Sequence, residues 1–318
     1  MLKVQSVSFS YANATTTTLN SIDFTIEKGK IVAVIGESGC GKSTLLKLIY
    51  GLHDVDAGHI FLDDQKIYGP KNCLVPGMDF MKYLAQDFDL MPYITVAENV
   101  GKFLSNTDFE KKTNRIKELL AVVDMSDYFS VRTSNLSGGQ MQRVALAKTL
   151  AAKPIVLLLD EPFSHIDNFK KNELRYKLFA FIKRNNITAL VATHDSTDIL
   201  SFADEVIVLQ QGAIIDHGTT SIIYSQPENK YIAALFDEVN EINSNYFDDT
   251  NGATDLLVYP HQLAIVAFSK FQVEVVHTFF RGSHFLIECV YSRGKLFVQH
   301  HIDIIVGSIV YITKKLQN

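Results

Sequence analysis

Three scarcities narrow this sequence before any motif is read. No uninterrupted apolar run reaches the roughly 18–20 residues that a membrane-spanning helix needs. The longest candidates, around residues 256–268 and 302–312, are too short and too polar. Any membrane role therefore comes through a partner. Cysteine is sparse: Cys40, Cys73 and Cys289 are odd in number and scattered. That excludes a disulfide framework or a zinc pattern and favours a reducing compartment. Positive charge is not in excess. A formal net charge of −5 argues against a protein that coats nucleic acid, so no nucleic-acid partner is expected. The opening MLKVQSVSFSY alternates like a strand and lacks the apolar centre of a signal peptide. With 47% hydrophobic and 20% charged residues over 318 positions, the chain reads as an ordinary soluble globular protein. Its length suggests two domains, one large enough for a sizeable core.

The most informative stretch is GESGCGKST: Gly36, Glu37, Ser38, Gly39, Cys40, Gly41, Lys42, Ser43 and Thr44. An apolar run at 31–35 reads as a buried strand before it, and residues 45–50 read as a helix start after it. That is the context the G-x-x-x-x-G-K-[ST] pattern requires of a phosphate-binding loop. Its glycines let the main chain approach an anion, and the N–H groups around the helix start form a nest for phosphate. Lys42 is expected to reach the β- and γ-phosphates, and the Ser43 hydroxyl to sit on Mg²⁺. Chance produces such a match on the order of once in a hundred chains of this length. The chain is expected to bind a nucleoside triphosphate.

Elsewhere the periodicity is legible. Residues 4–9 and 19–26 alternate as antiparallel strands, and 58–67 resembles a short hairpin. Tyr11 either stacks on an adenine face or merely ends a strand; taken alone, the second reading is preferred. Residues 69–81 are irregular. Gln86 ends a short apolar strand, and 109–123 has the spacing of an amphipathic helix. In NLSGGQMQRVALAKTLAAKP, Ser137 is a good N-cap. Gly138 and Gly139 expose N–H groups, and an apolar-periodic helix is expected to run to Lys153, before Pro154. This is a second helix start shaped for an anion. IVLLLDEP then reads as a central parallel strand ending in two acids. Asp160 is expected to hold Mg²⁺. Glu161 is placed to orient and deprotonate a water attacking the γ-phosphate. Residues 169–185 read as a helix, 187–192 as a buried strand leading to His194, and 205–217 as a hairpin turning at Gln211 and Gly212.

Tyr11, GESGCGKST, Gln86, LSGGQ, LLLDEP, SHID and His194 stand in a telling order. It resembles the A-loop, Walker A, Q-loop, signature, Walker B, D-loop and H-loop of ATP-binding cassette (ABC) ATPases. The resemblance covers residues 1 to about 236 and implies an α/β P-loop cassette with a helical subdomain and an antiparallel β-subdomain. It implies ATP and Mg²⁺, with Mg²⁺ on Ser43, Gln86 and Asp160. Lys42, Gln86, Glu161 and His194 would be catalytic, with His194 on the γ-phosphate. Tyr11 and residues 36–44 would bind the nucleotide. Two cassettes of this family pair head to tail, so Ser137, Gly138, Gly139 and Gln140 would contact the ATP of a second copy. His165 departs from the alanine commoner in the D-loop, and Met141 from the polar or basic residue usual after LSGGQ. Residues 69–81 lack the usual arginine.

Residues 237–255 read as a polar linker. Residues 256–318 hold several short alternating strands and resemble the transport-associated OB (TOBE-like) domain, a small β-barrel, of importer ATPases. His300 and His301 are adjacent on a strand and so point to opposite faces, which argues against a metal site. The resemblance implies the ATPase subunit of an importer, a homodimer peripheral on the cytoplasmic side of the membrane. It would partner an integral membrane permease and a substrate-binding protein. Efflux or lipoprotein release, and a regulator outside transport, are the competing readings.

Overall fold

The computed structural model describes residues 1–12, 16–73, 75–85, 87–247 and 254–315. The chain divides into two compact units, Met1–Ser221 and Ile222–Asn318.

Apolar alternation opens the first unit. Strands β1 (Leu2–Phe9) and β2 (Leu19–Ile26) bury roughly every second residue and pair antiparallel. In β3 (Ile31–Ile35) no position is polar and all five residues are buried, so the strand belongs between two covered faces. Helix α1 (Lys42–Tyr50) comes directly after its loop. Strands β4 (Ala57–Leu62) and β5 (Gln65–Lys66) then return to the first sheet, giving the order β2-β1-β4-β5. Next come β6 (Met81–Leu84), α2 (Val96–Gly101), α3 (Phe109–Val122), α4 (Gly138–Ala151), β7 (Val156–Asp160) and α5 (Asn168–Arg184). Strand β8 (Thr188–Ala192), α6 (Ser196–Phe202), β9 (Glu205–Gln210) and β10 (Ala213–Thr219) complete the unit. Helix α4 stops two residues short of the expected Lys153, which takes a left-handed φ of 52° ahead of Pro154.

The second sheet has the order β10-β9-β3-β8-β7-β6. Neighbours from β9 to β6 are parallel, while β10 runs antiparallel to β9. Gln211 and Gly212 make their turn with φ of 49° and 79°. The strands sort their side chains with period two. Leu157, Leu159, Ala189 and Val191 enter one core with α2 to α5. Val32, Val34, Leu158 and Leu190 enter another with α1 and the antiparallel sheet. With both faces filled, functional groups are left to the carboxyl ends of β3, β7 and β8, where ligands sit in open α/β sheets.

Helix α7 (Thr220–Ser225) spans the division between units. The second unit holds α8 (Lys230–Ala234) and β11 (Asn240–Asn243), which pairs antiparallel with β12 (Asp255–Val258). Strand β11 lies inside residues 237–255, which their polarity had marked as a linker. Strands β13 (Leu263–Val266), β14 (Phe271–Phe280), β15 (Phe285–Tyr291), β16 (Gly294–His300) and β17 (Ile309–Lys314) form a sheet in the order β13-β17-β14-β15-β16. Its core includes Ile242, Val258, Phe271, Ile287, Leu296 and Ile312. Asn240 ties β11 to β16: its Nδ2 donates to Phe297 O at 2.8 Å and its Oδ1 accepts from Phe297 N at 2.6 Å. The Tyr224 and Tyr259 rings stack at 4.7 Å, and the Tyr259 hydroxyl donates to Ala233 O.

Candidate nucleotide site

The loop after β3 is shaped by what its backbone must avoid. Gly36 has a φ of 145°, and a Cβ there would lie 2.1 Å from Leu209 O of β9. No other residue fits this close approach. Beyond it, α1 begins directly at Lys42, with Gly41 as N-cap. Its first N–H groups lack partners within the helix. The Lys42 ammonium donates to Gly36 O at 2.7 Å and Glu37 O at 2.9 Å, curling over the loop. The loop therefore brings a helix N-terminus and a lysine together, a backbone geometry and charge that suit an anion.

Oxygen groups converge beside it. Ser43 Oγ, in the first turn of α1, donates to Asp160 Oδ1 at 2.9 Å. Tyr83 of β6 donates to the other carboxylate oxygen at 3.1 Å. Burial and then the neighbouring Asp160 charge push the Tyr83 hydroxyl far above its ordinary value, so it stays a donor. Asp160, the last residue of β7, is itself buried.

Glu161 turns the chain away from β7 with a φ of 49°, in the left-handed region. That backbone costs a non-glycine residue about 1–3 kcal/mol. Four hydrogen bonds oppose the cost, one of them from Ser164 N to Glu161 O at 3.3 Å. Glu161 N donates to Ala192 O at 2.9 Å, and Glu161 O accepts from Gln142 Nε2 and Ser164 Oγ, each at 3.0 Å. At roughly 0.5–1.5 kcal/mol net apiece they are enough to hold it. The side chain points at His194, with Nδ1 and Oε1 2.8 Å apart. The acid and the imidazole come from the ends of neighbouring strands β7 and β8.

His194 sits on an anchored loop. Lys171 and Arg175 of α5 both pair with Asp195, and Arg175 also pairs with Asp198 at 2.5 Å. Partial burial pushes the Asp195 carboxyl up, but hydrogen bonds from Lys171 and Arg175 outweigh it and hold the group well below the usual carboxylate range. Asp198, more deeply buried, is raised by desolvation.

The remaining candidate residues have local partners of their own. Ser137 caps α4 in a reciprocal box: its Oγ accepts from Gln140 N, and Gln140 Oε1 accepts from Ser137 N at 2.8 Å. Gln140 is thereby occupied in capping. A Cβ at Gly139 would lie 2.6 Å from His165 O, whereas one at Gly138 would meet nothing within 4 Å. Only the first glycine of the pair faces open space. The Tyr11 hydroxyl shares a 3.1 Å hydrogen bond with Thr44 Oγ1, and its ring stands edge-on to Phe9 and His53. Gln86 lies outside the described residues. Just after it, Phe88 packs edge-on against His165, and Asp89 is ion-paired to Lys148 of α4 at 2.8 Å.

Residues 19–164 match the family model described as ABC transporter. They have the fold of an ATP-binding cassette. The cassette MJ0796, solved as a dimer in a post-hydrolysis state bound to ADP and Pi, is 26% identical with a TM-score of 0.62. That match covers 69% of this chain and 99% of the other. A further dimeric structure of MJ0796, described as a bacterial ABC transporter cassette, gives the same figures. The cassette cbiO1 from Clostridium perfringens, part of the ABC transporter complex cbiONQ, is 28% identical. Its TM-score is 0.61, over 71% of this chain and 91% of cbiO1. The cassette is an ATPase, with ATP as substrate and Mg²⁺ as cofactor. The donor set fits the metal. A hydroxyl and a carboxylate oxygen in contact make a partial all-oxygen shell, of the kind Mg²⁺ completes with substrate phosphates and water.

Three participants escape a reading of motifs: Tyr83, Gln142 and the Arg175 network. Gln142 leaves a signal, a polar residue on the buried stripe of an apolar helix. Tyr83 and Arg175 leave none, because their partners lie 77 and 20 residues away in the chain.

Proposed function

We propose that this chain is the ATP-hydrolysing subunit of an importer, working as a head-to-tail pair on the cytoplasmic face of a membrane. The observation that carries the chemistry is the meeting of Ser43 with Asp160 and of Glu161 with His194 at the carboxyl ends of the strands, beside the phosphate loop. Lys42 exchanges its two backbone carbonyls for phosphate oxygens. Ser43 and Asp160 hold Mg²⁺, whose charge offsets that of the phosphates. Glu161 accepts the proton of the attacking water, and His194 fixes the orientation of Glu161. The N–H groups around Ser137, Gly138 and Gly139 serve the ATP of the partner copy; the dimeric state of MJ0796 is a precedent for pairing.

Coupling to a permease is supported by the segment after Gln86. Met91, Tyr93 and Phe103 are exposed there, Tyr93 at 81%, and Lys148 ties the base of the segment to α4. The complex that contains cbiO1 is a precedent for such an assembly. Purification of the tagged full chain from membranes in mild detergent is expected to bring down an integral membrane protein in stoichiometric amount. Its consistent absence would favour a role outside transport.

The second unit is read as a TOBE-like regulatory domain. In support, β13 packs beside β16, the far edge of its own sheet, as in a partly open five-stranded barrel. Every phosphate-facing group assigned to the site lies before residue 200. A chain ended after Ser221 is therefore expected to fold and to hydrolyse ATP within a few-fold of the full protein when concentrated enough to pair. A chain ended after Asn251 keeps Asn240, Ile242 and Tyr224 but removes Phe297, the core around Phe271 and Tyr259. It is expected to aggregate or lose thermal stability. An inactive but folded 1–221 chain would assign the second unit a part in catalysis.

A further inference from the structure

Gln142 is 2% exposed, on a helix whose buried residues also include Arg143, Val144, Ala145 and Leu146. A methionine or leucine would fill that space without desolvating an amide. The amide is instead used at both ends. Nε2 donates to Glu161 O at 3.0 Å and lies 3.4 Å from Ser164 Oγ, while Oε1 accepts from His165 N at 3.0 Å. One side chain thus holds the backbone on both sides of Pro162 and Phe163. Only an amide of this length offers a donor and an acceptor together; glutamate keeps the acceptor alone and methionine keeps neither. Gln142 lies five residues beyond Ser137 on the same rigid helix, about 7.5 Å along its axis.

We propose that Gln142 is a positioning residue. It fixes the left-handed turn at Glu161 and registers it to the start of α4, so a displacement of that helix start moves the catalytic carboxylate of the same chain. His165 reinforces the registration, since its ring packs on Phe88 while its N–H is held by Gln142. In a head-to-tail pair, contact of Ser137 with one ATP thereby bears on the water-activating group at the other. The inference rests on the assignment of Glu161 as the base.

The test uses the full-length protein. Gln142→Met is expected to lower kcat roughly 10- to 100-fold. ATP affinity, measured by titration with a fluorescent ATP analogue, is expected to stay within about threefold, with hydrogen-exchange protection lost at the His165 amide. Gln142→Glu, which keeps the acceptor for His165 and loses the donor to Glu161, is expected to lose kcat similarly and serves if the methionine variant does not fold. In a Glu161→Gln background, Gln142→Met is expected to add little further loss, because it acts through Glu161. Full additivity of the two losses would mean general destabilisation and overturn the proposal. So would a kcat within twofold of wild type in either folded variant. If Glu161→Gln itself turns over normally, the base assignment fails and the inference falls with it. If Glu161→Gln is inactive while both Gln142 variants are normal, the inference alone fails.

Discussion

Glu161→Gln is expected to lower ATP turnover by at least about 10²-fold, the usual scale for a lost general base, while leaving ATP binding intact. The amide keeps the size and reach of the carboxylate, so the left-handed turn and its four backbone hydrogen bonds are retained. It also keeps a carbonyl oxygen to meet His194 Nδ1. What it loses is the lone pair basic enough to take a proton from water. ATP should then hold the variant in its paired state, and dimer should accumulate in ATP but not in ADP on size exclusion. Turnover within a few-fold of wild type would remove Glu161 from the mechanism. An inactive variant that no longer binds ATP would point to damage in the loop, not to loss of a base.

Mixing two inactive chains is expected to restore activity. Lys42→Ala removes the ammonium that closes the phosphate loop. Ser137→Arg puts bulk at the signature helix start and removes its cap, which costs about 0.5–2 kcal/mol and should leave the fold standing. Each parent dimer carries the same lesion at both sites. A mixed head-to-tail dimer has one site with both lesions and one with neither. Random pairing makes half of the dimers mixed, so about a quarter of wild-type activity is expected if the sites are independent. Differently tagged chains purified in tandem isolate the mixed dimer. If that dimer is as inactive as its parents, the signature helix does not act in trans.

Local chemistry is what made a nucleotide-handling chain legible from sequence. Residues 36–44 need no distant partner to form an anion nest, because glycines, a lysine and a helix start occur consecutively. The five apolar residues of β3 and the run ending in Asp160 declare their burial on both faces, and so leave the loops at their carboxyl ends to carry the ligand-binding groups. Ser137 with Gln140 encodes its own cap three residues apart. These features depend on spacing within one or two turns of chain.

The order β10-β9-β3-β8-β7-β6 depends instead on which apolar strands pack beside one another, and several equivalent runs leave that open to sequence reading. From that order come Ser43 on Asp160, His194 on Glu161, and Tyr83 on Asp160, contacts 117, 33 and 77 residues apart. The strand at 240–243 was hidden for the same reason. Its polar asparagines and glutamate look like linker until Asn240 meets Phe297 and Ile242 enters a core. Composition and spacing determined that this chain handles a nucleotide. Packing over long separations decided which side chain holds which, because a hydrogen bond between distant segments has no signature in either of them alone.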